Sequence, residues 1–217
     1  MGIKRGSITT SVVADGLVFN IDPANRASYP KTGTTATDTV NSITGTMSGV
    51  VFSTDHTGIF NFDGSDAITS ITVGNSHNAF SVGVWVNPNS LSNFIRIIQL
   101  NSSNKRFLGV HGNGTLISGY NSGGWDEKFT SSTVSTGTWN YILMVDDGSN
   151  TVIYVNNVAN AIANSAATNT SYIIGSYNGS QNFIDAEIGS VHVYNRALSA
   201  AEVLHNYNAL KGRFGLS

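Results

Sequence analysis

Residues 191–208 read VHVYNRALSAAEVLHNYN, and two periodicities meet inside this run. It opens on strand alternation, with His192 between Val191 and Val193 and therefore on the opposite face, which is expected to meet solvent or a partner. It then turns helical. Ser199 and Glu202 have the spacing of a capping box, and Leu198 with Val203 fits a hydrophobic staple. Val203, Tyr207 and Leu210 follow on one helical stripe, and Gly212 is the expected stop. A short helix over about 199–210 with one apolar stripe is expected to lie along a sheet edge, where it would shield open strand backbone.

Upstream, short alternating or apolar runs separated by Gly, Asn, Ser and Asp recur along almost the whole chain, the mark of a sandwich. Strands are expected near 16–22, 57–62, 67–73, 79–87, 93–99, 105–111, 115–120, 138–146, 151–156, 171–175 and 182–194. Two are apolar on both faces. In AFSVGVWVN, Phe80, Val82, Val84 and Val86 oppose Trp85; in GTWNYILMV, Trp139, Tyr141, Leu143 and Val145 oppose Ile142 and Met144. Strands covered on both sides are central ones, so both Trp85 and Trp139 are expected to be buried. Asp147-Gly148 and Asn156-Asn157 bracket TVIYV as hairpin turns. Residues 24–56, rich in Thr, Ser and Gly, read as a long loop with one short strand.

With 217 residues and no cysteine, the chain has the length of one all-β domain held without disulfides or thiolate metal sites. Only 11% of residues are charged, against about a quarter in ordinary globular domains. The net charge of −2 and scattered Lys and Arg give no nucleic-acid footprint. No stretch reaches transmembrane length, and Asp15-Gly16 breaks the first apolar run before it could form a secretory core. The sequons at Asn101, Asn113, Asn169 and Asn178 are read as products of composition. Residues 1–14 form a polar, β-branched extended arm ahead of the domain at 15–217. Ile8-Thr9-Thr10 and Val12-Val13 could add an edge strand to a partner sheet; Lys4 and Arg5 would meet polar or acidic partner surface and contribute little unless buried, and the basic tail Lys211-Gly-Arg213 could join the arm as an anchor.

Four landmarks in order, GIFNFDGSD (58–66), AFSVGVWVNP (79–88), GTWNYILMVDDGSNTVIYVNN (137–157) and VHVYNRALSAAEVLHNYN (191–208), resemble the laminin-G-like, concanavalin A-like jelly-roll domains. The resemblance implies an all-β antiparallel sandwich with one short C-terminal helix. GLVFNIDPANRASYP and NYNALKGRFGL also look like the ends of stand-alone virion proteins of tailed, marine or cyanobacterial phages. That likeness implies a capsid decoration or surface protein, made in the host cytoplasm, whose partners are other virion proteins and copies of itself. One departure stands out: many relatives carry Asp-Glu where this chain has Gly189-Ser190, which puts any inherited calcium site in doubt.

Candidate chemistry is sparse. A retaining glycosidase needs two carboxyl groups about 5–5.5 Å apart. Asp185-Ala-Glu187 is the nearest pattern, and it reads instead as a solvated strand face. The five histidines, 56, 77, 111, 192 and 205, lack ligand spacing, so no metal site is expected. Asp63 and Asp66 could bind calcium, but a Gly turn capped by its own Asp is preferred, and no cofactor is expected. The remaining candidates are for carbohydrate: Tyr120 and Trp125 around a Gly-rich turn, and Tyr177 in SYNGSQN, rigid aromatics beside Asn and Asp. The expected function is a non-catalytic virion structural protein; the alternative is a lectin module binding host or surface glycans.

Overall fold

The structure, a computed structural model, describes residues 11–74, 77–92, 94–100, 106–121, 125–162 and 171–217, the side chains of Tyr120, Asn121 and Trp125 excepted. Its strands are β1 (Leu17–Ile21), β2 (Thr35–Thr37), β3 (Thr44–Ser48), β4 (Val51–Ser53), β5 (Ile59–Asp63), β6 (Ala67–Thr72), β7 (Phe80–Pro88) and β8 (Ile95–Gln99). They continue as β9 (Phe107–Val110), β10 (Thr115–Asn121), β11 (Trp125–Thr133), β12 (Asn140–Asp146), β13 (Thr151–Val155), β14 (Val158–Ile162), β15 (Ser171–Ile174) and β16 (Asp185–Tyr194). One helix follows, α1 (Ala200–Leu210). The first sheet runs β14-β13-β12-β7-β16-β5-β4 with β1 also on β16; the second runs β11-β10-β9-β8-β15-β6-β3-β2. Every pairing is antiparallel. The fold is the expected two-sheet sandwich. The expected loop over 24–56 contains three short strands: TAT and TGTMS are mostly Thr, Ser and Gly, and VFS is too short to show alternation.

Between the sheets lies a core that includes Val82, Val84, Val86, Ile142, Met144, Ile188, Val191 and Val193. A buried ion pair joins the layers. Arg106, just before β9, donates from Nη2 to Asp146 Oδ2 and Thr151 Oγ1, both at 2.8 Å. Both charged side chains are fully buried. Loss of either partner would strand a charge, at about 3–5 kcal/mol. On one side the two sheets also meet edge to edge. Asn160 Oδ1 on β14 accepts from Ser131 Oγ and the Ser132 N–H on β11, each at 3.0 Å.

A second apolar cluster lies on the outer face of the first sheet: Trp85, Trp139, Tyr141, Leu143, Val145 and Tyr194, beneath Leu198, Val203 and Phe214. Helix α1 therefore covers a face, not an edge. The two-faced strands β7 and β12 require this cover, because Trp85, Tyr141, Leu143 and Val145 point away from the partner sheet. The expected cap is present: Ser199 Oγ accepts from Glu202 N–H, and Glu202 Oε2 accepts from Ser199 N–H at 2.8 Å. Arg196 and the Ser199 N–H hold the Glu202 carboxyl down to about 2. The chain does not stop at Gly212. The helical run continues as a 3₁₀ turn over Lys211–Phe214 and is closed by Gly215, the left-handed position at φ 76°.

That continuation changes the reading of two segments. Arg213 donates to both Asp22 carboxylate oxygens, at 2.8 and 2.9 Å, and to the carbonyls of His56 and Gly58. It pins the chain to its own sheet and is not an outward anchor. The described part of the arm also stays at home: Val13 N–H donates to Asn206 Oδ1 at 2.8 Å, and His205 Nε2 meets the Ser11 carbonyl at 2.9 Å. The run Ile8-Thr9-Thr10, with Lys4 and Arg5, lies outside the described residues.

His192 is also corrected. It is fully buried beneath α1, with Nε2 2.6 Å from the Tyr141 hydroxyl, because its face of β16 belongs to the covered side. Burial pushes its pKa down to about 3. The unfolded chain binds a proton near pH 6.5 that the native imidazole refuses. The contribution is thus complete above pH 6.5 and falls by about 1.4 kcal/mol per unit as pH drops toward 3. Urea midpoints between pH 7.5 and 4.5 are expected to follow that sign, and His192→Gln is expected to flatten the slope. Ser199→Ala is expected to lower stability by about 0.5–2 kcal/mol, read as a reduced melting temperature.

Candidate functional site

The chain's own helix covers the outer face of the first sheet; on the outer face of the second sheet Arg96, Gln99, Phe107 and Ile117 are buried, and Phe94 and Phe129 are exposed. The rows of this second face follow from strand register. Arg96, Gly109, Ile117 and Phe129 stand side by side across β8, β9, β10 and β11. Next to them run Gln99, Phe107, Gly119 and Glu127. Leu108, Leu116 and Ser118 alternate to the inside, where Ser118 Oγ contacts Met144 Sδ.

Arg96 forms the floor of this face. Its side chain lies flat, with Cζ 3.3 Å from the Phe107 ring centroid and Nη2 3.9 Å from Glu127 Oε1. Glycine at 119 is what permits it: a Cβ there would stand 3.0 Å from the Phe107 ring and 3.1 Å from Glu127. Burial lowers the Arg96 pKa to about 10, against the opposing pull of Glu127 and Tyr177, so the group stays charged at neutral pH. The cation and Glu127 offset one another, and the floor is nearly neutral.

Above it stands an aromatic row. Phe94 and His111 meet edge to face at 5.3 Å and 88°, and His111 and Phe129 at 5.7 Å and 87°. Phe94 is 39% exposed and Phe129 47%, which is unusual for phenylalanine in a folded chain. Sequence reasoning passed over all three. For Phe129 the signal lay in EKFTSS, where a lone Phe stands in a polar run.

Tyr177, one of the three aromatic candidates, lies close enough to Arg96 to act on its charge. Its loop is closed by Tyr177 N–H donating to the Gln181 carbonyl at 2.7 Å, and Asn182 passes its carbonyl to the Arg96 N–H at 2.9 Å. The backbones of Tyr120 and Trp125 lie at the β10–β11 hairpin, in register with Asp126 and Asn121, and their side chains lie outside the described residues.

The acidic candidates are engaged elsewhere. Asp185 and Glu187 are half-buried on the first sheet, accepting from Asn89 Nδ2 at 3.0 Å and Asn87 Nδ2 at 2.9 Å. Asp63 Oδ1 caps its own turn through Ser65 N–H at 2.9 Å, and Asp66 Oδ2 accepts Asp63 N–H at 3.0 Å. Among the described residues no three His, Cys, Asp or Glu cluster as metal ligands. Gly189 explains the departure from the family ending: a Cβ there would sit 2.2 Å from the Phe214 ring. That ring stacks on Trp85 at 4.5 Å and tilts against Trp139 at 4.4 Å.

Known structures share this architecture. Domain 4 of AbnA, an extracellular arabinanase of Geobacillus stearothermophilus solved with arabinotriose, superposes with a TM-score of 0.70 at 16% identity, over 89% of this chain and 98% of that one. A Trypanosoma rangeli sialidase mutant with trans-sialidase activity gives 0.70 at 12% identity, over 96% of this chain and 35% of its own. The receptor-binding domain of botulinum neurotoxin type G gives 0.63 at 16%, over 89% and 51%. The chain thus spans about a third of the sialidase and half of the toxin domain, and at these identities the likeness is one of fold. No curated protein sequence matches. The Laminin G 3 profile matches residues 62–204, well over half of the chain, and the protein belongs to the concanavalin A-like lectin/glucanase superfamily.

Proposed function

We propose that this chain is a non-catalytic glycan-binding module, carried as a surface or decoration protein of a tailed-phage particle, and that the outer face of β8–β11 is where the glycan lies. The observation that carries the reading is the Phe94–His111–Phe129 row on the sheet face that the chain's own helix does not cover. Sugar rings present apolar C–H faces that suit exposed aromatic rings, and Tyr177 and Glu127 stand beside them for hydroxyl groups. The similar arabinanase domain was solved with a trisaccharide and the similar toxin domain binds a receptor, which favours recognition at such a face.

The non-catalytic part rests on the glutamates. Each of the three has a partner: Glu127 with Arg96, Glu187 with Asn87, and Glu202 with Arg196 and Ser199. A glycosidase acid must hold a proton near neutral pH, and the Glu202 carboxyl is shifted the opposite way. The phage setting rests on the likeness of the two end segments alone. Its partners would be other virion proteins, copies of itself, and the glycans of a host surface.

On an array of oligosaccharides the purified protein is expected to retain a defined set of glycans without cleaving them. Phe129→Ala and Phe94→Ala are each expected to weaken that binding by about 0.5–1.5 kcal/mol, roughly two- to twelvefold, with the melting temperature almost unchanged. An array left blank by the wild type would retire the glycan reading. The virion reading is checked separately, by mass spectrometry of purified particles, in which peptides of this chain are expected.

A further inference from the structure

At one end of the sandwich, away from the aromatic row, is a hollow of about 360 Å³ that the glycan-binding reading does not use. Val18 of β1, Ile43 ahead of β3 and Val73 after β6 line it, together with Asn41, His77 before β7, and Asn195 after β16. The three aliphatic side chains are half-buried and pack on the inter-sheet core. Asn41 and Asn195 are exposed at the opening, and His77 is half-buried.

The walls are fixed independently of any occupant. Asp38 is buried, and its carboxylate accepts the N–H groups of Asn20, Val40 and Asn41 at 2.6, 3.1 and 2.7 Å, which locks the loop that carries Asn41 and Ile43. Asn41 Nδ2 donates to the Val18 carbonyl at 2.7 Å, and Asn195 N–H to the Gly16 carbonyl at 2.8 Å. A carboxamide has two donor hydrogens and an acceptor oxygen, so one bond leaves the Asn41 side chain with hydrogen-bonding capacity to spare.

Size and chemistry together select the occupant. The space far exceeds that of one water and lies at the lower end of the range of small-molecule sites, about 300–1,000 Å³. Among the described residues the lining has no acidic, lysine or arginine side chain, so a charged ligand would lose hydration there without gaining a partner from them. An aliphatic floor under carboxamide and imidazole groups suits a ring with an apolar face and hydroxyls at its edge. We infer that this end hollow is a second binding site, taking one neutral monosaccharide residue, separate from the aromatic face.

The test is a titration of isotope-labelled full-length protein, followed by NMR, with methyl α-D-glucoside, methyl α-D-mannoside, the methyl glycoside of N-acetylglucosamine, and glucuronate. At least one neutral glycoside is expected to give saturable shifts at the Asn41 and Asn195 carboxamides and the His77 ring, with millimolar affinity. Val73→Phe, which fills the hollow, is expected to abolish them; should that variant misfold, Asn195→Ala is expected to weaken binding severalfold. Phe129→Ala is expected to leave these shifts intact, so failure at the aromatic face and failure here are distinguishable. The inference is overturned if none of the neutral glycosides moves those signals, if glucuronate alone does, or if the shifts survive in a folded Val73→Phe protein.

Discussion

Strands β7 and β12 have apolar side chains on both of their faces, and a two-layer sandwich has an inside for only one. The rest of the molecule follows from this mismatch. Val82, Val84 and Val86 meet the second sheet, while Trp85, Tyr141, Leu143 and Val145 face outward and need cover that no strand supplies. The chain supplies it by turning back after β16 as α1 and the 3₁₀ turn, laying Val203, Tyr207 and Phe214 over that surface. One face of the molecule is thereby occupied by its own sequence. On the face opposite, Arg96 is buried as a floor, while Phe94 and Phe129 stay exposed.

Much of this could be read from the sequence, for physical reasons that also mark where the reading stopped. Alternation identified the long central strands because they are apolar on a strict period of two. The capping box placed the helix within a residue of its start. Strands β2, β3 and β4 escaped because residues such as Thr35, Thr44 and Ser53 satisfy backbone pairing without an apolar stripe. The inference about His192 was right about its face and wrong about what lies there. Alternation separates it from Val191 and Val193 correctly, yet the opposite side of β16 is a second interior. The same evidence, an outward row of Trp and Tyr, would have placed α1 over the face instead of at the edge.

The site was less legible. Tyr177 was reachable from local composition because loop aromatics beside Asn are conspicuous. Arg96 sits within an apolar run, IRIIQ, and only the register of three neighbouring strands reveals that it lies over Phe107 toward Glu127. The pairing of Phe94 with His111 and Phe129 likewise joins residues brought together by pairing, not by spacing. The buried Arg106–Asp146 pair belongs with these: each partner reads alone as a strand-end charge, and the sandwich makes them one unit.

The absence of a side chain at Gly189 has a consequence for the order in which the molecule can be completed. Phe214 enters the space over Gly189 between Trp85 and Trp139, and it is synthesised after every strand of both sheets. While a chain is still attached to the ribosome, the sandwich can pair its strands, but the indole faces on its outer surface stay wet until that last ring emerges. The contact is therefore made after the strands it covers. A nascent or clipped chain lacking Phe214 would display a sticky aromatic patch that quality-control factors could recognise as a sign of incompleteness.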